Sequence, residues 1–383
     1  MNPRSRNRSK PIFRSTLLAC IFVAVQFASA QSPKKPVIIG YVGGYNGNVV
    51  ETSAIEAKRL SHINYAFVDI KDGRAWLHNE KTDTINFRKL NELKKDNPDL
   101  KIMISVGGWT WSKHFSDATL TEASTSTFAQ SAVDIVSEHN LDGVDIDWEY
   151  PGMVGDNNTY RPEDGENYTN LFRHLKEKLN ALGQKTGKAY LVTTAIGGSR
   201  EFLQHTQMEE AQKYLDYINV MSYDFDNTYD NMAAHHANLL SPKNRPYIYS
   251  ADVCIENLKK VGVPPSKIVM GIAFYGKGKM VKSTDNNGLY QIPENPQRGG
   301  GYTYLKDSLI NKKGFVRYWD EESKAPYIFN AEERIFITYD DEESVKAKCD
   351  YIKEHNLAGA MFWEYFGDKK LNLLKVLNKE LGY

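Results

Sequence analysis

Eight short apolar, β-branched runs recur along the 383-residue chain, at Val37–Val42, His62–Val68, Lys101–Val106, Gly143–Trp148, Tyr190–Ile196, Tyr217–Ser222, Ile268–Phe274 and Gly359–Trp363. Their near-continuous apolar character suits strands buried on both faces, as in a parallel sheet. Between them lie stretches with apolar residues at helical spacing: Ile85, Leu90 and Leu93 before Asn97-Pro98; Phe128, Ala132, Ile135 and Val136; Leu171, Leu175 and Leu179 before Gly183. Asp340 is positioned to cap a helix running to about His355, and Asp368 precedes the last helix. Strands alternating with helices read as βαβ units. Eight such units predict an α/β fold of the closed (β/α)8 barrel type rather than an open sheet.

Residues 31–383 exceed the ~250 residues typical of that barrel by about 100. The surplus is visible between Gly276 and Thr338, where the strand–helix rhythm gives way to Gly299-Gly300-Gly301, several Tyr, and alternating runs such as Phe315–Trp319 and Arg334–Ile337. This stretch predicts a small, mostly β, α+β insertion between the seventh strand and its helix. The first 30 residues also stand apart. Arg4, Arg6, Arg8, Lys10 and Arg14 have no acidic companion, an apolar stretch follows from Thr16 to Phe27, and Ala28-Ser29-Ala30 ends it in a small-residue cleavage pattern. That is the design of a secretory signal peptide, and the apolar stretch is shorter than the ~20 residues of a spanning helix. The expectation is a secreted protein, extracellular or periplasmic, monomeric, and free of the membrane after cleavage. Equal totals of 48 basic and 48 acidic residues remove the electrostatic case for nucleic acid. Beyond residue 30 only Cys254 and Cys349 remain. No CxxC pair supports a thiolate zinc site, and whether the two cysteines bond to each other is open. The adjacent His235-His236 pair shows no metal-ligand spacing and reads as surface or core histidine.

The chemistry concentrates in one segment, Leu141-Asp142-Gly143-Val144-Asp145-Ile146-Asp147-Trp148-Glu149-Tyr150. Residues two apart on a strand share a face. Asp145, Asp147 and Glu149 therefore form a row of carboxylates on the inner face of a barrel strand, with Val144, Ile146 and Trp148 packing outward. Packing alone would favour apolar residues there, because buried like charges repel and lose hydration. Crowding raises at least one carboxyl pKa, which a general acid at neutral pH requires. A Mg²⁺ or Ca²⁺ site is the alternative use of three carboxylates; no metal and no cofactor is assigned. Asp142, of opposite parity, is expected to support a turn through a hydrogen bond.

The stretch D-x-x-D-x-D-x-E resembles the signature of family 18 glycoside hydrolases, the chitinases, and further elements agree in order. Ser105-Val106-Gly107-Gly108-Trp109-Thr110-Trp111 resembles the family's third-strand motif, Met221-Ser222-Tyr223-Asp224 the sixth, Phe274-Tyr275-Gly276 the seventh, and Gly359-Ala360-Met361-Phe362-Trp363-Glu364 the eighth. Arg317-Tyr318-Trp319-Asp320 and Ala325-Pro326-Tyr327 resemble pieces of the insertion found in deep-cleft members. The resemblance runs from about Val37 to Tyr383.

What the resemblance implies is hydrolysis of chitin or chito-oligosaccharides by a retaining, substrate-assisted mechanism, an exception to the two-carboxylate scheme. By that implication Glu149 is the proton donor, Asp147 orients the substrate acetamido group, Asp145 sits behind Asp147 and shares a proton or hydrogen bond with it, and Tyr223 bonds the acetamido group. Asp224 contacts the same region, Met221 packs beneath it, and Trp363 floors the sugar. Tyr41, Phe67 and Tyr275 lie at strand ends facing substrate. Trp109 and Trp319 are stacking platforms or core residues. Ser105, Gly107 and Gly108 are architectural, leaving room near the carboxylates. The bonds Ala66-Phe67 and Trp363-Glu364 are expected to be cis. Two rivals share these residues: an endo-β-N-acetylglucosaminidase acting on N-glycan cores, and a non-catalytic chitin-binding lectin.

Overall fold

In the computed structural model the described residues are Met1, 35–225, 232–245 and 249–383. The N-terminal segment read as a signal peptide lies outside them. Residues 35–383 form one unit. The eight apolar runs are its eight barrel strands, Val37–Gly43, His62–Lys71, Lys101–Gly107, Gly143–Asp147, Leu191–Ile196, Tyr217–Val220, Ile268–Ala273 and Gly359–Trp363. Each pairs in parallel with the next, and the first pairs with the eighth to close the ring. Closure leaves no strand edge, so the strands are buried on both faces and carry the expected apolar runs.

The outer layer departs from strict alternation at its start. The first crossover holds two single 3₁₀ turns, Thr52–Ala54 and Ala57–Arg59, in place of an α-helix. The principal outer helices are Glu80–Glu92, Glu122–Glu138, Asp164–Thr186, Ala251–Lys260, Glu342–Glu354 and Asn372–Leu381. Thr121 starts the second with a reciprocal cap to Ser124, and Gly187 ends the third in the left-handed conformation. The cap of Glu342–Glu354 is Asp341, whose carboxylate accepts from the N–H groups of Glu343 and Ser344. The expected cap, Asp340, is instead buried in an ion pair with Lys348 at 2.6 Å. Either acidic residue suits an N-cap by type; the neighbouring buried lysine decides between them. Asp368 accepts from the backbone of Asn372, Leu373 and Leu374 at the last helix.

Between the seventh strand and helix Glu342–Glu354 the chain builds a separate five-stranded antiparallel sheet. Its strands are Tyr275–Val281, Pro293–Gly301, Phe315–Asp320, Ala325–Asn330 and Ile335–Thr338, with the short helix Tyr302–Ser308 among them. A small apolar cluster of Val281, Leu289, Tyr327, Phe329 and Phe336 forms its core. Cys254 and Cys349 are free and buried in the main core. Among the described residues no helix is long and apolar enough to cross a membrane.

Candidate active site

The fourth barrel strand carries the acidic row as its parity requires. Val144, Ile146 and Trp148 are fully buried on the outer side, where Trp148 stacks on Phe115 at 5.0 Å. Asp145, Asp147 and Glu149 face inward at successive heights. Ladder register fixes what stands beside each. Ser105 on the third strand and Thr193 on the fifth are the direct partners of Asp145. Their hydroxyls donate to its carboxylate at 2.7 and 2.6 Å. Tyr41 Oη donates at 2.9 Å and Asn219 Nδ2 at 3.2 Å. Burial raises the Asp145 pKa, and these four hydrogen bonds pull it back.

One step up, the partner of Asp147 is Gly107, which offers no side chain. Gly107 (φ +107°) has no room for one, since a Cβ would lie 2.3 Å from the Asp147 carbonyl oxygen. Asp147 Oδ1 is buried and accepts no hydrogen bond from any described residue, so the expected bond between it and Asp145 is not formed by that oxygen. Burial, then the charges of Glu149 and Asp145, drive the Asp147 pKa well above the ordinary carboxylate range. The backbone here is well held: Gly108 N–H donates to Asp147 O at 2.7 Å, and Ser112 Oγ accepts from Glu149 N–H at 2.9 Å.

Glu149 stands at the rim, with its pKa pushed up to about 7 by burial and by the negative charge of Asp224, against a lowering hydrogen bond from Tyr150. Asp224 is the opposite case. Its left-handed backbone (φ +65°) presents the carboxylate to Tyr275 Oη at 2.5 Å and Lys277 Nζ at 2.9 Å, with His236 Nδ1 at 3.5 Å. Its side chain is 47% exposed, and His236, Lys277 and Tyr275 hold its pKa well below the ordinary value. The bonds Ala66-Phe67 and Trp363-Glu364 are cis, and so is Glu149-Tyr150.

These side chains converge on a cavity of about 610 Å³ lined by Tyr41, Phe67, Trp109, Asp147, Glu149, Tyr150, Ala195, Met221, Tyr223, Asp224, Tyr275 and Trp363. Phe67 lies nearly parallel to Trp363 at 5.5 Å, and Tyr45 does so at 6.3 Å, forming an aromatic floor. Trp319 is not among the lining residues. It sits on insertion strand Phe315–Asp320, bonded to Glu321 at 2.7 Å with Arg317 beside its ring. Asp145 lies below the cavity. Asp142 has the supporting role expected of it, accepting Ile102 N–H at 2.8 Å and pairing with Lys94 at 2.6 Å. Sequence reasoning passed over Tyr150, Ser112, Thr193 and Asn219. The last two carried a signal, being polar residues of inward parity inside apolar runs. Among the described residues no group of three His, Cys, Asp or Glu side chains is arranged to hold a metal ion.

The family model for glycosyl hydrolases family 18 matches residues 37–368. The chain belongs to glycoside hydrolase family 18. Relatives within it include chitinase A1 of Niallia circulans, 37% identical over 94% of this chain, and chitinase B of Serratia marcescens, 30% identical over 82% of this chain and 74% of that protein. This chain spans 60% of the length of the Niallia protein. A family 18 N-acetylglucosaminidase from Paenibacillus barengoltzii superposes with a TM-score of 0.83 at 39% identity, covering 90% of this chain and 99% of that one.

Proposed function

We propose that this family 18 enzyme is a chitinase, hydrolysing β-1,4 bonds between N-acetylglucosamine units with retention of configuration through an oxazolinium ion. The observation that carries the reading is the pairing, in one cavity, of a carboxyl that is still protonated near neutral pH, Glu149, with a buried carboxyl, Asp147, whose Oδ1 accepts no hydrogen bond from the described residues. A general acid must hold its proton at working pH, and a pKa near 7 supplies that. An acceptor without partners in a buried site is suited to an N–H brought by substrate.

In this reading Glu149 protonates the leaving glycosidic oxygen while the substrate's own acetamido carbonyl oxygen attacks C1. Asp147 accepts the acetamido N–H and stabilises the positive charge that develops on it. Tyr223 bonds the acetamido group, and Asp224, kept anionic by Lys277 and His236, holds Glu149 in its acid form. Deprotonated Glu149 then takes a proton from the water that opens the oxazolinium. Trp363 and Phe67 supply the apolar floor under the sugar. The relatives named chitinases support chitin as substrate, and the basic-then-apolar N-terminus supports action outside the cytoplasm. The Paenibacillus N-acetylglucosaminidase favours a second reading, release of single sugars from chain ends.

Matched acetylated, deacetylated and cello-oligosaccharides, with anomers followed by proton NMR, test the mechanism. Only the acetylated chain is expected to be cut, with the β-anomer appearing first. Comparable cleavage of all three, or α-anomer first, would overturn it. The product lengths separate internal cleavage from removal of single sugars.

A further inference from the structure

Glu149 lies two residues beyond the end of its strand, and the ladder with the third strand stops at Gly107 opposite Asp147. No barrel partner therefore fixes the backbone of the acid. A general acid must still stay within hydrogen-bond reach of the oxygen it protonates, and a misplacement of about 1 Å can cost about a hundredfold in rate. The element that holds Glu149 is the loop between the third barrel strand and the short helix Phe115–Ala118.

This loop meets the acid strand at three points. At its start Gly108 N–H donates to Asp147 O at 2.7 Å. At its end Phe115 stacks on Trp148 at 5.0 Å, 12° from parallel. Between them Ser112, fully buried, accepts from Glu149 N–H at 2.9 Å. The Ser112 proton is directed to Gly108 O at 2.8 Å or Asp147 O at 3.0 Å. One hydroxyl thus ties together the backbones of Gly108, Asp147 and Glu149. Removing it affects the three unequally. Asp147 O keeps the Gly108 N–H, and Gly108 O keeps the Trp111 N–H at 3.2 Å. Of the three, Glu149 is the one left with a buried donor and no acceptor, which costs free energy wherever water is excluded. The other side of the acid is held independently. The Gly155 backbone lies against the Glu149 carbonyl, where a Cβ would come within 2.2 Å of the oxygen, and Asn158 Nδ2 braces that turn through Met153 O at 2.9 Å. Loss of the Ser112 hydroxyl therefore loosens the acid without dismantling the loops around it.

We propose that Ser112 is a positioning residue for the general acid, its hydroxyl fixing the height at which Glu149 presents a proton to the leaving oxygen. Ser112 is not among the cavity-lining residues, so it acts through Glu149 rather than on substrate. The proposal rests on the reading of Glu149 as the acid of a chitin-cleaving enzyme, and its test separates the two. Two substrates are compared on the full chain: N-acetylchitotetraose, whose leaving oxygen needs a proton, and a dinitrophenyl chitobioside, whose leaving group departs as a stable anion without one. Ser112→Ala is expected to lower kcat/KM about tenfold on the tetraose and less than about twofold on the dinitrophenyl substrate, because only the first draws on the acid's placement. A serine with a structural role alone would lower both alike. Ser112→Cys keeps a weaker donor and acceptor on the same side chain; it is expected to show the same selectivity at smaller size, and it carries the test if the alanine chain does not fold. Equal losses on the two substrates, or an undiminished rate on the tetraose, would overturn the assignment of Ser112. A parent chain that cuts neither acetylated substrate would instead overturn the function on which it rests.

Discussion

Asp145 and Asp147 are two residues apart on one strand, point the same way and are both buried, yet they live in opposite surroundings. Beside Asp145 the ladder places Ser105 and Thr193, and Tyr41 and Asn219 complete a set of four donors. Two residues up each neighbouring strand the side chains shrink to Gly107 and Ala195, and Asp147 Oδ1 is left without a partner. The lower level is satisfied and structural. The upper one is unsatisfied and poised to accept hydrogen bonds from something other than the protein. A barrel thus separates stability from chemistry by changing two neighbours over a rise of about 7 Å along the strand.

That contrast can be broken at either level. The largest effect is expected at the rim: Glu149→Gln lowers kcat/KM by about 10³–10⁴-fold, since the proton donor is gone, while oligosaccharide binding measured calorimetrically persists. Substantial turnover by this variant would remove Glu149 from its role.

Next is the lower level. Asp145→Ala strands four buried donors and is expected to cost about 2–4 kcal/mol in denaturant unfolding. Asp147→Ala, which strands none at Oδ1, should cost under about 1 kcal/mol. Equal losses would erase the distinction.

A pH-dependent effect sharpens the comparison. Glu149 has a folded pKa near 7 against an ordinary 4.5. Below 4.5 it is neutral in both states and costs nothing. As pH rises toward 7 the unfolded chain gives up its proton first, so folding loses free energy, and the loss levels off above 7. Glu149→Gln cannot ionise and escapes that loss. It should therefore be about 3 kcal/mol more stable than the parent at pH 8 and no more stable at pH 4. A gain independent of pH would locate the effect in packing rather than charge.

Much of this was legible in the chain itself. Strand positions followed from apolar runs because closed parallel strands are buried on both sides, and the acidic row followed from parity alone. What escaped was set by three-dimensional neighbours. Thr193 and Asn219 become donors only when register brings them beside Asp145. Asp340 and Asp341 are indistinguishable as caps until Lys348 is seen beneath one of them. Trp319 has the composition of a stacking platform, but it is not among the residues lining the cavity. Ser112 is one more serine in a loop until it is found holding the backbone of Glu149. The missing first helix left no trace because its segment still contains apolar residues, which pack from two single turns instead.

The five-stranded sheet leaves the barrel along Tyr275–Val281 and returns along Ile335–Thr338, and these two strands pair with each other, Lys277 opposite Thr338. Exit and entry are therefore adjacent rungs, about 5 Å apart. Everything between them is a cassette in the engineering sense, entering and leaving at one rung, but an exchange must also replace its grips on the outer layer, such as Arg317 on Asp341 at 2.7 Å. The freedom has a boundary. Tyr275 and Lys277, on the outgoing strand, grip Asp224, so a graft made after Lys277 keeps the chemistry and one made before Tyr275 removes part of it.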